Sequence, residues 1–183
     1  MIRVLDVVLS AVGLVAGSPL LGLLWVLGWM ENRSPIFRQI RLGRHQQPFV
    51  LVKFRTMRLD TDNVSTHMVS ASSVTPLGRF LRRTKLDELP QLWNVLLGDM
   101  SLVGPRPGLP SQTALTEARA RAGVFEVRPG ITGLAQLRGT DMSTPEVLAE
   151  ADARMRNELT VARYVKLIFA TVLGGGGGDR IRG

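Results

Sequence analysis

The sequence predicts an α+β fold, mainly helical, joined to a membrane anchor, and three observations carry that prediction. Residues Val4 to Trp29 are almost wholly apolar, with Asp6 as the single charge, and a bilayer is crossed by about 20 such residues. Two stretches, Pro35 to Arg41 and Phe49 to Arg55, alternate apolar and polar residues around the polar segment Gly43 to Pro48, the pattern of a small β-hairpin. Most of the remainder carries helical periodicity punctuated by proline and glycine. At 183 residues the chain suits one domain with its own core. The expected divisions are an anchor over 1–32, a polar domain over 33–173 and a flexible glycine-rich tail over 174–183.

Within the anchor, Pro19 removes a helical hydrogen bond and crowds the preceding turn, so the segment is expected to bend or break at Ser18-Pro19. Gly13, Gly17 and Gly22 loosen it further. A kinked spanning helix that leaves Met1 on the far side and a re-entrant helix that returns to its starting face both fit, since spanning helices tolerate proline. Arg3 and Asp6 favour the re-entrant path, because both ends then bring charge to one surface. A cleaved signal peptide does not fit: the basic n-region is one arginine and no small-x-small site precedes polar sequence. Trp25 and Trp29 suit a membrane interface. From Arg33 to Arg58 the chain then holds seven basic residues and no acid, which assigns that side of the anchor to the cytoplasm.

Past the anchor, the hairpin's second strand carries Lys53 and Arg55, two apart and therefore on one face. Asp60 to Thr75 reads as a polar loop. Its Asp60-Thr61-Asp62 matches the D-x-D pattern with which many glycosyltransferases hold a metal and a nucleotide diphosphate, although solvent-facing turns collect acids in the same way. Pro76 to Arg83 predicts a short basic helix, and Leu89 to Leu97 an amphipathic helix stopped by Gly98. Thr113 to Ala122 predicts a polar helix, Arg128 to Gly133 a structured turn, and Pro145 to Asn157 a charged, mostly exposed helix. Leu159 to Leu173 forms a basic amphipathic helix that could lie in an interface or pack into the core. His45 and His67 stand alone, without metal-ligand spacing.

The net charge of +8, with 20 of the 23 basic residues arginine, points to an anionic partner: nucleic acid, anionic lipid or a phosphorylated substrate. The absence of cysteine excludes a disulfide framework and a thiolate metal site. Polar chemistry concentrates in Thr84 to Asn94 and Gly98 to Pro107. Asp87 and Glu88 are adjacent carboxylates beside Pro90, which starts a helix, and the unpaired N–H groups there favour their ionised forms. Arg106 lies between Pro105 and Pro107, which fix its direction of approach. The arrangement suits a carboxylate nucleophile or metal ligand acting on an anionic substrate. The competing reading is structural: a capping box from Thr84 to Asp87, with Glu88 an exposed first-turn acid.

Taken together, the segment centred on Ser18-Pro19, Lys53-Phe54-Arg55-Thr56-Met57, Leu86 to Leu92, Gly98 to Pro107 and Arg128 to Gly133 carry a resemblance. Over nearly its whole length the chain resembles the bacterial sugar transferases, monotopic polyprenol-phosphate phosphoglycosyltransferases, at the size of the minimal catalytic module. The resemblance implies a re-entrant anchor broken at Ser18-Pro19, a catalytic domain over 33–173 with amphipathic helices at the membrane surface, and a place on the cytoplasmic face of the bacterial inner membrane. It implies transfer of a phosphosugar from a UDP-sugar to polyprenol (undecaprenyl) phosphate, with release of UMP. By that likeness Asp87 is the nucleophile and Glu88 its partner, the two together holding Mg2+. Lys53, Arg55, Arg82, Arg106 and Arg128 are the candidates for binding substrate phosphate. The implied partners are the UDP-sugar, polyprenol phosphate and the lipid bilayer, without nucleic acid; a homodimer is compatible. Members of the family often carry an aspartate two residues before a lysine matched by Lys166, where this chain has Tyr164; Asp141 and Asp152 are the acids that could compensate, and neither is assigned to the site. Two alternatives stand beside this reading. One is a metal-dependent glycosyltransferase using Asp60 and Asp62 and releasing UDP; the other is a non-enzymatic, membrane-anchored module that binds anions through its basic block.

Overall fold

Helix α1 runs from Ile2 to Asn32 with Pro19 inside it. The expected break at Ser18-Pro19 therefore does not interrupt the helix, and the reason is local. Proline has no N–H for the carbonyl of Val15, and the Ser18 hydroxyl donates to that same oxygen at 2.8 Å, replacing the bond that proline removes. The computed structural model containing this helix describes residues 1–61, 71–140 and 142–174; Asp62, His67, Asp141 and the tail beyond Gly174 lie outside the described residues.

Most of α1 faces outward: Val4, Val15 and Met30 are 65%, 76% and 70% exposed, a surface that suits lipid rather than water. Its two ends nevertheless belong to the core. Near the start, Arg3 donates to the carbonyls of Val95 at 2.7 Å and Leu96 at 3.1 Å. Asp6 is buried and accepts from the Ser101 hydroxyl, the Leu102 N–H and the Tyr164 hydroxyl. Near the other end, Leu21 and Leu24 pack with Phe54 and Leu81, and Glu31 accepts from the Leu77 N–H at 3.1 Å.

Strands β1 (Ile36–Leu42) and β2 (Pro48–Phe54) form the expected antiparallel hairpin, with Phe37 opposite Lys53 and Gln39 opposite Leu51. A 3-10 turn at Arg44–Gln46 joins them. The outer edge of β2 is closed by a side chain: Asn94 donates to the Val50 carbonyl at 2.8 Å and accepts from the Val52 N–H at 3.1 Å, which satisfies groups an edge strand would leave open. Asn94 lies on α3 (Gln91–Leu97), a helix that ends, as expected, at Gly98 with φ 97.

Helix α2 (Pro76–Thr84) is capped by the Thr75 side chain and pressed against the hairpin's exit: a Cβ on Gly78 would lie 2.1 Å from the Thr56 carbonyl oxygen. Thr84 closes this helix, its hydroxyl donating back to the carbonyls of Phe80 and Leu81. It is not the N-cap of a following helix, so the capping-box reading is overturned.

The segment Arg128 to Gly133, expected to be a turn, holds a strand. β4 (Gly130–Thr132) pairs in parallel with β3 (Ser101–Val103). The close approach requires glycine, since a Cβ on Gly130 would meet the Gly104 nitrogen at 2.0 Å.

The remaining helices are α4 (Thr113–Arg121), α5 (Leu134–Arg138), α6 (Pro145–Glu158) and α7 (Val161–Val172). Helix α6 is not mostly exposed as its charge suggests: Leu148, Ala149, Asp152 and Met155 are buried. The surface position its acid implied is taken inside because Arg119 of α4 supplies a cation there, at 2.7 Å from Asp152.

Candidate active site

The chemistry-bearing acids lie on a single 3-10 turn, Leu86–Glu88, between α2 and α3. They precede α3 by a turn rather than starting it. Leu86 packs onto the Leu24, Phe54 and Leu81 cluster, while Lys85 enters the turn in the left-handed region, φ 58. A non-glycine residue held there costs about 1 kcal/mol or more and persists where packing imposes it. Asp87 is 3% exposed. Glu88 accepts from Arg106 at 3.0 Å in a partly exposed ion pair. Strand β2 packs against this turn.

Lys53, Arg55 and Arg82 line one cavity, together with Phe37, Gln39, Arg41, Thr56 and Arg58. Five of these are basic, and none of the described lining residues is acidic. The hairpin register explains the convergence, because alternate residues of both strands face the same way and Phe37 stands opposite Lys53. The Phe37 ring lies 5.7 Å from the Lys53 ammonium and 5.4 Å from the Arg55 guanidinium, within range of a favourable cation–ring interaction. Arg82 donates through Nε to the Thr56 hydroxyl at 2.8 Å, so α2 is tied to the cavity wall. Arg55 is also engaged with the backbone of Ser34, and burial lowers its pKa.

The loop after β3 supplies Arg106. Its prolines cannot donate, so the loop is held through its carbonyls, four in a row. Pro105 accepts from the Gly130 N–H at 2.9 Å, Arg106 from the Arg119 guanidinium at 2.8 Å, Pro107 from the Arg41 guanidinium at 3.0 Å, and Gly108 from the Leu42 N–H at 3.0 Å. Fixing the backbone in this way directs the Arg106 side chain at Glu88.

Arg128 and Tyr164 are held by contacts of their own. The Nε of Arg128 donates to the Gly98 carbonyl at 2.7 Å, where it caps the end of α3; like Asp87, Glu88 and Arg106, it is not among the residues lining the cavity. Tyr164 is fully buried and donates to Asp6 at 2.7 Å, tying α7 to the anchor. Asp60 lies on the surface and its partner in the D-x-D pattern, Asp62, is outside the described residues. Phe37, Gln39, Arg41 and Arg119 were not singled out as site residues in the sequence, and Asp152 was named only as an acid that could compensate for Tyr164. For the first three, the two-residue alternation of the hairpin was an available signal. For the pairing of Arg119 with Asp152 there was none, because a buried ion pair between two charged helices looks like surface.

Carboxylates on a tight turn, a guanidinium aimed at one of them and a nearby cavity walled by cations suit chemistry on phosphorylated substrates. Sequence comparison agrees. The profile of the bacterial sugar transferase family matches residues 1–175. A UDP-glucose:undecaprenyl-phosphate glucose-1-phosphate transferase of Caulobacter vibrioides is 41% identical, over 93% of this chain and 67% of its own. A transferase of the same description from Escherichia coli is 38% identical over 94% of this chain and 39% of its own. An exopolysaccharide production protein PSS of Rhizobium leguminosarum is 35% identical over 93% and 92%. The chain belongs to the bacterial sugar transferase family. It spans about two fifths of the length of the Escherichia coli relative and about two thirds of the Caulobacter one.

Proposed function

We propose that the protein transfers a sugar 1-phosphate from a UDP-sugar to undecaprenyl phosphate, through a covalent intermediate on Asp87. The observation that carries this reading is Asp87 itself: a buried aspartate beside the Glu88–Arg106 pair, on a turn packed against β2, whose Lys53 walls the cavity. The relatives' names supply the donor and acceptor classes.

The donor's diphosphate would sit against Lys53, Arg55 and Arg82, which neutralise its charge so that an anion can approach phosphorus. A carboxylate oxygen of Asp87 then attacks the sugar-linked phosphorus, and the bond to the leaving UMP oxygen breaks. The resulting acyl phosphate is attacked by an oxygen of undecaprenyl phosphate, which restores the free carboxylate and completes a ping-pong cycle. Arg106 holds Glu88 in place through both steps. Adjacent carboxylates suit Mg2+, which is commonly held by one or two carboxylates plus substrate phosphates. Asp87 and Glu88 would hold that ion, whose chemistry is to offset charge on the transferring phosphoryl group.

Support for the anchor reading comes from α1. Both its ends are fastened to the same domain, through Arg3 and Asp6 at one end and Leu24 and Glu31 at the other, while Val15 and Leu20 stand outside the core. We read this as a re-entrant helix, with its Ser18-Pro19 region in lipid and the site on the cytoplasmic face of the membrane. A soluble sugar nucleotide and a lipid phosphate can then reach one carboxylate in turn.

The test is a panel of UDP-sugars with undecaprenyl phosphate, scored by UMP release. Asp87→Asn should abolish turnover and prevent retention of label from a radiolabelled donor supplied without acceptor. Near-normal turnover in that variant, or UDP in place of UMP, would overturn the reading.

A further inference from the structure

Arg119 and Asp152 are 3% and 1% exposed, and both the Nε and one Nη of the arginine reach a single oxygen of the aspartate, at 3.0 Å and 2.7 Å. A charge pair this deep is costly to desolvate and adds little net stability, so its place in the core calls for another reason. The third guanidinium nitrogen shows one: it donates to the main-chain carbonyl of Arg106 at 2.8 Å. Arg106 in turn donates to Glu88 at 3.0 Å.

We propose that the Asp152–Arg119 pair is a positioning device for Arg106, setting that guanidinium against Glu88 from a helix that takes no part in the chemistry. Neutral donors would not serve as well. The planar fork of arginine lets one side chain grip Asp152 with two nitrogens and the Arg106 carbonyl with the third, in a fixed relation. Asp152 holds the fork at its correct angle. Arg41 performs the complementary task on the next carbonyl, that of Pro107, so the arginine-bearing loop is gripped from two sides. This inference rests on the assignment of Asp87 and Glu88 above.

The experiment uses the full chain in detergent, with undecaprenyl phosphate and whichever UDP-sugar gives the greatest UMP release. Asp152→Asn should lower kcat by about tenfold or more, with KM for the donor changed by less than about twofold, as expected when a group's placement rather than its presence is lost. Arg119→Lys keeps a cation beside Asp152 but cannot reach both partners; it should show the same split, and it serves if Asp152→Asn fails to fold. In an Arg106→Ala background either change should cost less than about twofold more, because residues acting through one another are not additive. Wild-type kcat in Arg119→Lys, or an undiminished loss on top of Arg106→Ala, would reduce the pair to a structural role. Asp87→Asn run in parallel separates the two ideas. If it retains turnover the reaction itself is misassigned, whereas an essential Asp87 with silent pair variants removes only the positioning role.

Discussion

Tyr164 shows how one side chain changes its task when its neighbour changes. Its hydroxyl is buried, and its pKa is raised by burial and then by the hydrogen bond and charge of Asp6. The phenol therefore stays neutral and remains a donor. The sign of the linkage follows: a raised folded-state pKa means the stabilisation is complete below the unfolded value, about 10, and is lost as pH climbs above it. Tyr164→Phe leaves Asp6 with one donor fewer and should cost about 1–3 kcal/mol at neutral pH, the range for a bond to a buried charged acceptor. It should also flatten the alkaline limb of stability. Thermal melts in detergent from pH 7 to about 11 read both effects, and an unchanged alkaline slope would mean that Tyr164 does not carry the linkage.

The elements divide by how they are specified. The hairpin, α2 and the stop of α3 at Gly98 were legible in the sequence, because alternation, a proline start and a glycine stop are local signals. β4 was not, since a three-residue strand is defined by its partner and Gly130-Ile131-Thr132 acquires its conformation from β3. The same division runs through the site. Motifs named the Asp87-Glu88 turn and the cations Lys53, Arg55 and Arg82, the three that line one cavity, but they could not show that Arg128 contacts Gly98 instead. Helix α1 mixes both kinds. Pro19 signals a disturbance, yet the Ser18 hydroxyl repairs the lost bond and the helix continues. Under the re-entrant reading, Pro19→Ala restores an unhindered helix and favours a spanning path. A single cysteine appended ahead of Met1, in a chain with none of its own, should be labelled by an impermeant maleimide from the cytoplasmic side in the parent protein and from the opposite side in a substantial fraction of Pro19→Ala molecules. Labelling of the parent from the outer side would establish a spanning helix instead.

At the scale of the whole molecule, α1 acts as more than a tether. Asp6, Ser10 and Leu24 are among the buried residues of the fold, at 2%, 0% and 3% exposure, although most of the helix around them faces outward. Removing residues 1–32 would leave the Ser101 hydroxyl, the Leu102 N–H and the Tyr164 hydroxyl without their acceptor, and the carbonyls of Val95 and Leu96 without Arg3. Each lost bond to the Asp6 carboxylate removes about 1.5–3 kcal/mol, so three of them take away much of the 5–15 kcal/mol that typically separates folded from unfolded domains. The loss of Leu21 and Leu24 also opens the Phe54 and Leu81 cluster on which Leu86, and hence the Asp87 turn, is seated. Residues 33–183 alone are therefore expected to show no cooperative melting transition and no UMP release, even with detergent and both substrates supplied. A truncated chain that melted cooperatively and turned over at the parent rate would mean that the anchor only raises the local concentration of lipid substrate, and that the contacts of Arg3 and Asp6 contribute nothing to the shape of the site.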